Sequence, residues 1–181
     1  NLSETIDKLD RRKIIIDRKT CSLFFENLLR KNFKILDKDD PIYLFKAIKS
    51  KSEIKHMINA HILDGVALSK FLYWIKISNK KKITEFDAQN KLESLRKNSK
   101  QYLFPSFNTI AGTGENAAIV HYRATKKNKK EINKNDIFLC DSGGQYEYGT
   151  TDVTRTICVS KPKHCVKNII TKDLNSHVAD I

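Results

Sequence analysis

The chain has 181 residues and lacks any run approaching the roughly 20 apolar residues that a membrane-spanning helix needs. No membrane partner is expected. It opens Asn1-Leu2-Ser3-Glu4, which is neither a methionine start nor a signal peptide. The expectation is therefore the interior of a longer reading frame. No internal repeat is visible. The four cysteines, Cys21, Cys140, Cys158 and Cys165, form no C-x-x-C pair. Cys140 and Cys158 fall in strand-like runs, where a free thiol behaves as a small hydrophobe. A reduced, cytoplasmic setting is the expected one. The neighbouring carboxylate of Asp141 disfavours a thiolate at Cys140 and so argues against a nucleophilic cysteine. Gly112 and Gly114 make only a G-x-G, too little for a nucleotide fingerprint.

What the chain has in excess is positive charge. Lys and Arg total 34 against 21 Asp and Glu, a formal net charge of +13. Such a balance invites a nucleic-acid reading. The densest cluster, Lys126-Lys127-Asn128-Lys129-Lys130, reads as a loop, and no aromatics interleave it as a stacking platform would require. A solvated, Lys-rich surface is the preferred reading, with nucleic acid not expected as a partner.

Lys13 to Ile16 and Phe33 to Leu36 read as short strands around a helix from Cys21 to Lys31, capped by Thr20. The polar run Asp37 to Asp40 before Pro41 marks a boundary. A long helix is expected from Ser52, with Ile54, Met57, Ile58, His61, Ile62, Gly65, Val66, Ser69, Leu72 and Tyr73 as its core face. Thr84 and Asp87 form a capping box that opens a helix to Asn98. Strands are expected over residues 106–110, 117–121, 137–141 and 152–159, then a polar helix from Lys163. Helices, strands and a helix in that order predict an α+β fold.

Asp141 to Thr156, reading Asp-Ser-Gly-Gly-Gln-Tyr-Glu-Tyr-Gly-Thr-Thr-Asp-Val-Thr-Arg-Thr, carries the chemistry. Apolar β-type runs flank a Gly-rich, hydroxyl-rich turn, which predicts a strand, a loop and a returning strand. That hairpin can bring Asp141 and Asp152 into the same space. Two buried carboxylates so placed repel unless one is protonated or both bind cations. Oxygen ligands favour hard or borderline divalent ions such as Mn²⁺, and one carboxylate can bridge two metals.

This segment resembles the metal-binding hairpin of Xaa-Pro aminopeptidases (aminopeptidase P), members of the pita-bread/creatinase metallopeptidase family. Three further stretches are similar to it: Ser106 to Ile110 with Gly112, Gly114, Asn116 to Ile119 and His121-Tyr122; Ala60 to Leu68; and Pro41 to Lys49. The Gly149-Thr150-Thr151-Asp152 spelling resembles the large cytosolic, three-domain type rather than prolidases. The resemblance implies the first half of a pita-bread fold over residues 52–181. Residues 1–40 would be the tail of a creatinase-N-like α/β domain, and 41–51 a linker with a leading helix. It implies Asp141 and Asp152 as metal ligands of a centre with two divalent ions, most naturally Mn²⁺. Asp141 would hold one ion and Asp152 would bridge both. It makes His121 the catalytic, substrate-contacting histidine, at the end of a separate strand. Thr154 and Arg155 are either supports of the carboxylates or ordinary sheet positions. His56, His61, His164 and His177 are read as packed helix residues.

The implied substrate is a peptide with proline at its second position, cut after the N-terminal residue. A histidine and two glutamates of the family's five ligands have no counterpart here. The chain alone is therefore expected to be inactive, with an uncovered apolar face prone to self-association, and a homodimer stays open. An inactive peptide- or protein-binding module of the same fold, or a relative of prolidase or methionine aminopeptidase, are the alternatives.

Overall fold

In the computed structural model of the chain, residues 2–9, 13–78 and 82–179 are described. They divide into two units, one running to Ser50 and the other starting at Lys51. No helix of the described residues is long and apolar enough to cross a membrane.

The first unit contains α1 (Leu2–Asp7), β1 (Lys13–Ile16), α2 (Leu23–Arg30), β2 (Lys34–Asp37) and α3 (Pro41–Ala47). β1 and β2 pair in parallel, from Lys13 opposite Lys34 to Ile16 opposite Asp37, with α2 as the crossover. Ser22, not the expected Thr20, caps α2, its hydroxyl accepting from the Phe25 N–H. Thr20 belongs to the preceding turn, where its hydroxyl donates to the Asp17 carbonyl. Asp40 caps α3 by accepting from the Ile42 N–H at 2.9 Å, with Pro41 in the first turn where its missing N–H is harmless.

The second unit starts with α4 (Lys51–Ile77) and α5 (Glu85–Arg96). The capping box at Thr84 and Asp87 is formed in both directions. β3 (Tyr102–Pro105) and β4 (Ile110–Thr113) follow, then a 3-10 helix (Gly114–Ala118). β5 (Ile137–Ser142), β6 (Gly144–Tyr146), β7 (Gly149–Thr150), β8 (Val153–Cys158) and α6 (His164–Ala179) complete it. Two three-stranded antiparallel sheets result, ordered β3-β6-β7 and β4-β5-β8. The core is built from Leu68, Phe71 and Ile75 of α4 and Leu92 of α5, packed on Ala111 and Phe138 of the second sheet.

The face of α4 differs from the expected one. The buried stripe is Ala60, Asp64, Ala67, Leu68, Phe71 and Ile75. Ile54, Met57, Ile58, Ile62, Val66 and Tyr73 are exposed instead. The helix is apolar on nearly all sides, so periodicity does not single out one face, and packing selects the stripe that includes an aspartate. The expected strand over 106–110 is also absent. Residues 106–109 connect β3 to β4, because Pro105 ends one strand and the backbone re-enters the sheet only at Ile110. The expected strand over 117–121 is replaced by the 3-10 helix and a turn. Its apolar side chains Ile119 and Val120 face solvent and gain nothing from a pleat.

Candidate metal and substrate cleft

β5 sits between β4 and β8, with Asp141 opposite Ile110 on one side and Thr154 on the other. Paired residues share a face, and residues two apart along a strand share it too. Asp152, two residues before Thr154, therefore emerges on the same face as Asp141. Both carboxylates line one cleft of about 380 Å³, together with Ile110 and His121. Asp141 is half-buried and Asp152 is exposed, so the expected pair of buried carboxylates is more open than the sequence implied. The Thr154 hydroxyl donates to the Asp141 Oδ1 at 2.8 Å and fixes its orientation. Arg155 does not reach the carboxylates. Its guanidinium donates to the Thr154 carbonyl.

The Gly143-Gly144 step makes the hairpin tight. A Cβ on Gly143 would lie 1.9 Å from the Thr151 carbonyl oxygen and 2.2 Å from the Ser106 hydroxyl. No side chain fits there. Ser106 donates its N–H to the Gly143 carbonyl at 3.1 Å and its hydroxyl to the Thr151 carbonyl at 2.9 Å. Thr151 in turn accepts from the Gly144 N–H at 2.9 Å. These bonds clamp the loop carrying Phe107 and Asn108 to the hairpin, and both residues line the cleft.

His121 reaches the cleft from a turn, not from a strand end as expected. Its φ is 55°, and among the described residues it is the one non-glycine with positive φ. Left-handed backbone at a β-carbon-bearing residue costs about 1 kcal/mol or more and persists only where neighbours enforce it. The Tyr122 N–H donates to the Ile119 carbonyl at 3.2 Å across this turn, and the Tyr122 side chain is anchored on Glu85, fully buried at the start of α5. Its carboxylate accepts from the Thr113 N–H at 2.8 Å, the Lys130 N–H at 2.9 Å, the Asn116 amide at 3.0 Å and the Tyr122 hydroxyl at 2.8 Å. Every one of these bonds is donated to the Glu85 side chain. Burial, and next the bond to Glu85, push the Tyr122 hydroxyl up to about 12. The Lys126 to Lys130 loop is thus partly structural. Lys130 also pairs with Glu115, and Lys129 sits over the Phe86 ring.

A second buried cluster underlies the hairpin. Arg96 donates to both oxygens of Asp64, at 2.6 and 3.1 Å, and to the Ser142 hydroxyl at 3.1 Å. The Tyr146 hydroxyl donates to Asp64 at 2.9 Å. One Arg96 nitrogen, Nη1, has no partner. The cluster joins α4, α5, β5 and β6 at the residue next to Asp141. Neither it nor Glu85 was found from sequence, where charged residues read as surface. Burial pushes the Cys140 thiol up to about 12, with the charge of Asp141 a lesser cause, so Cys140 is a packed thiol. His56, His61, His164 and His177 are exposed rather than packed. His56 stacks on Tyr148 and His61 contacts the Met57 carbonyl. α6 buries none of its residues.

The donor set bears on metal binding. Two oxygen-donor carboxylates on one face of a sheet suit a hard divalent ion. Among the described residues no group of three or more His, Cys, Asp or Glu could hold one.

Residues 55–179 match the pattern of Metallopeptidase family M24. The chain belongs to this family. Xaa-Pro aminopeptidase ApepP of Drosophila melanogaster is 38% identical over 162 residues, which is 88% of this chain and 26% of that protein. The X-prolyl aminopeptidase of Caenorhabditis elegans, described as a cytosolic enzyme with a di-nuclear active site, superposes with a TM-score of 0.68 at 28% identity. The match covers 90% of this chain and 26% of that one. A prolidase from Pyrococcus horikoshii OT3 gives a TM-score of 0.74 at 28% identity, covering 93% and 47%. The M24 chain is thus related to Xaa-Pro aminopeptidases and prolidases. It spans about a quarter of the length of the curated relatives it matches. Its α+β fold aligns with about half of the prolidase structure.

Proposed function

We propose that this M24 chain carries the first half of the catalytic fold of a dinuclear-metal Xaa-Pro aminopeptidase, preceded by the tail of a creatinase-N-like domain. The carrying observation is the shared cleft of Asp141, Asp152 and His121, inside the segment that matches the family. Asp141 and Asp152 would hold the divalent ions of that centre, and Mn²⁺ is among the ions that oxygen ligands suit. The ions supply Lewis acidity toward the peptide carbonyl. The chain's own residues do the rest. Thr154 keeps Asp141 turned toward the cleft. His121 donates a hydrogen bond where negative charge develops on the carbonyl oxygen. The substrate is a peptide with proline in second position. With two carboxylates and, among the described residues, no third ligand beside them, the chain alone is inactive. A second reading, a metal-free peptide-binding module, draws support from that incomplete ligand set.

The test replaces the matching segment of the Drosophila relative with residues 55–179 of this chain. The chimera should release the first residue of an Arg-Pro-Pro peptide in a chelator-sensitive way. Asp141→Asn or Asp152→Asn should abolish both bound metal and activity. His121→Ala should lower turnover with metal content retained. A folded chimera that is inactive with Mn²⁺ bound, or one that survives Asp152→Asn, would refute the reading.

A further inference from the structure

The residue after Tyr122 has no part in the roles above. Tyr122 and Ala124 are buried, while Arg123 between them is exposed. Tyr122 is tethered by Glu85, and the Ala124 carbonyl accepts from the Gln89 amide at 3.4 Å. The backbone of Arg123 is thus held from both sides and its side chain is turned outward. That side chain lines the cleft of Asp141 and Asp152. It also lines a neighbouring cleft of about 180 Å³ whose walls include Gln89, Asn90 and Glu93. Asn108 is likewise common to both. Among the described residues, no hydrogen bond or ion pair engages the Arg123 guanidinium. Glu93, the one carboxylate lining the second cleft, is already occupied. It accepts from the Tyr102 hydroxyl at 2.6 Å and pairs with Lys97 at 3.3 Å.

The two clefts therefore differ in charge. The first presents two carboxylates, which attract cations and repel anions. The second presents amide groups and an unengaged guanidinium at the junction. We propose that Arg123 is a specificity-determining residue that binds a carboxylate on the C-terminal side of the peptide lying in the cleft. The guanidinium fork matches a carboxylate in two parallel hydrogen bonds. The carboxylate comes either from the free C-terminus of a short peptide or from an acidic side chain following the proline. This inference rests on the reading of the cleft as a peptide site.

The test is an NMR titration of this chain with four peptides: Ala-Pro-Ala, its C-terminal amide, Ala-Pro-Asp amide and Ala-Ala-Ala. Ala-Pro-Ala should bind about fivefold to tenfold more tightly than its amide, the gain expected of a charge-assisted bidentate contact. Ala-Pro-Asp amide recovers that gain if a side-chain carboxylate serves equally, and does not if the site takes only the C-terminus. Arg123→Gln should erase the difference while leaving the neutral amide unchanged, and Arg123→Glu should reverse the preference. Equal binding of Ala-Pro-Ala and its amide, equal loss of all peptides in Arg123→Gln, or no perturbation of the cleft by any peptide would overturn the inference. Equal binding of Ala-Ala-Ala and Ala-Pro-Ala, with Arg123 dependence retained, would instead defeat the proline reading and leave this one standing.

Discussion

At the scale of single residues, the buried carboxylate of Glu85 underlies the turn that carries His121. Glu85 accepts four donated groups from three segments of chain, and it holds Tyr122 beside the left-handed His121. Glu85→Gln turns one acceptor oxygen into an NH₂ group facing N–H donors. We expect a loss of about 2 kcal/mol or more in urea unfolding, from a repelled and unsatisfied buried amide. Tyr122→Phe removes a single bond, so a loss of about 1 kcal/mol is expected. In that variant the His121 resonances should broaden while those of Phe71 and Leu92 stay sharp. Unchanged His121 resonances would separate the turn from the network. The Asp141–Asp152 pair was legible in sequence because glycine and hydroxyl residues between two apolar runs specify a hairpin. The left-handed conformation of His121 was not legible in sequence. Ala117 to Val120 look like a strand, and Glu85, which bonds Asn116 before them and Tyr122 after them, lies more than 30 residues away.

At the scale of elements, α5 serves as the frame of the site. Its first residue is Glu85, its last is Arg96, and its start is closed by Thr84 and Asp87. Asp87 is held below the ordinary carboxylate range by the Thr84 hydroxyl and then by the Thr84 N–H. Its folded pKa is depressed, so its contribution is present above the unfolded value and is lost as pH falls through the folded one. Asp87→Asn should therefore lower stability at about pH 6 more than at about pH 3 in urea unfolding. An equal loss at both pH values would mean that the charge is not what matters. The capping box was readable because its four residues are contiguous. The buried face of α4 was not. With Ile, Leu, Met and Val around most of the helix, only tertiary packing, and the Asp64–Arg96 bond within it, chooses the inner stripe.

At the scale of the molecule, the apolar surface that the sequence placed in the core remains on the outside. Ile58, Ile62 and Val66 of α4 are each more than half exposed, as are Ile169, Leu174 and Val178 of α6. The Ile58, Ile62 and Val66 stripe on one turn-spaced face of α4 favours association. The double substitution Ile58→Glu, Ile62→Glu should reduce self-association in sedimentation while leaving the melting temperature within a few degrees, since surface changes away from the core cost about 0.5 kcal/mol or less. A collapse of the melting temperature would place those side chains in the fold's own core. The central claim is that Asp141 and Asp152 make one divalent-ion site facing His121. Paramagnetic broadening by Mn²⁺ tests it most directly. In the wild-type chain, substoichiometric Mn²⁺ should first broaden Asp141, Asp152, Ile110 and His121, and the Asp141→Asn, Asp152→Asn double variant should lose that broadening. Broadening centred elsewhere, or unchanged in the double variant, would contradict the account.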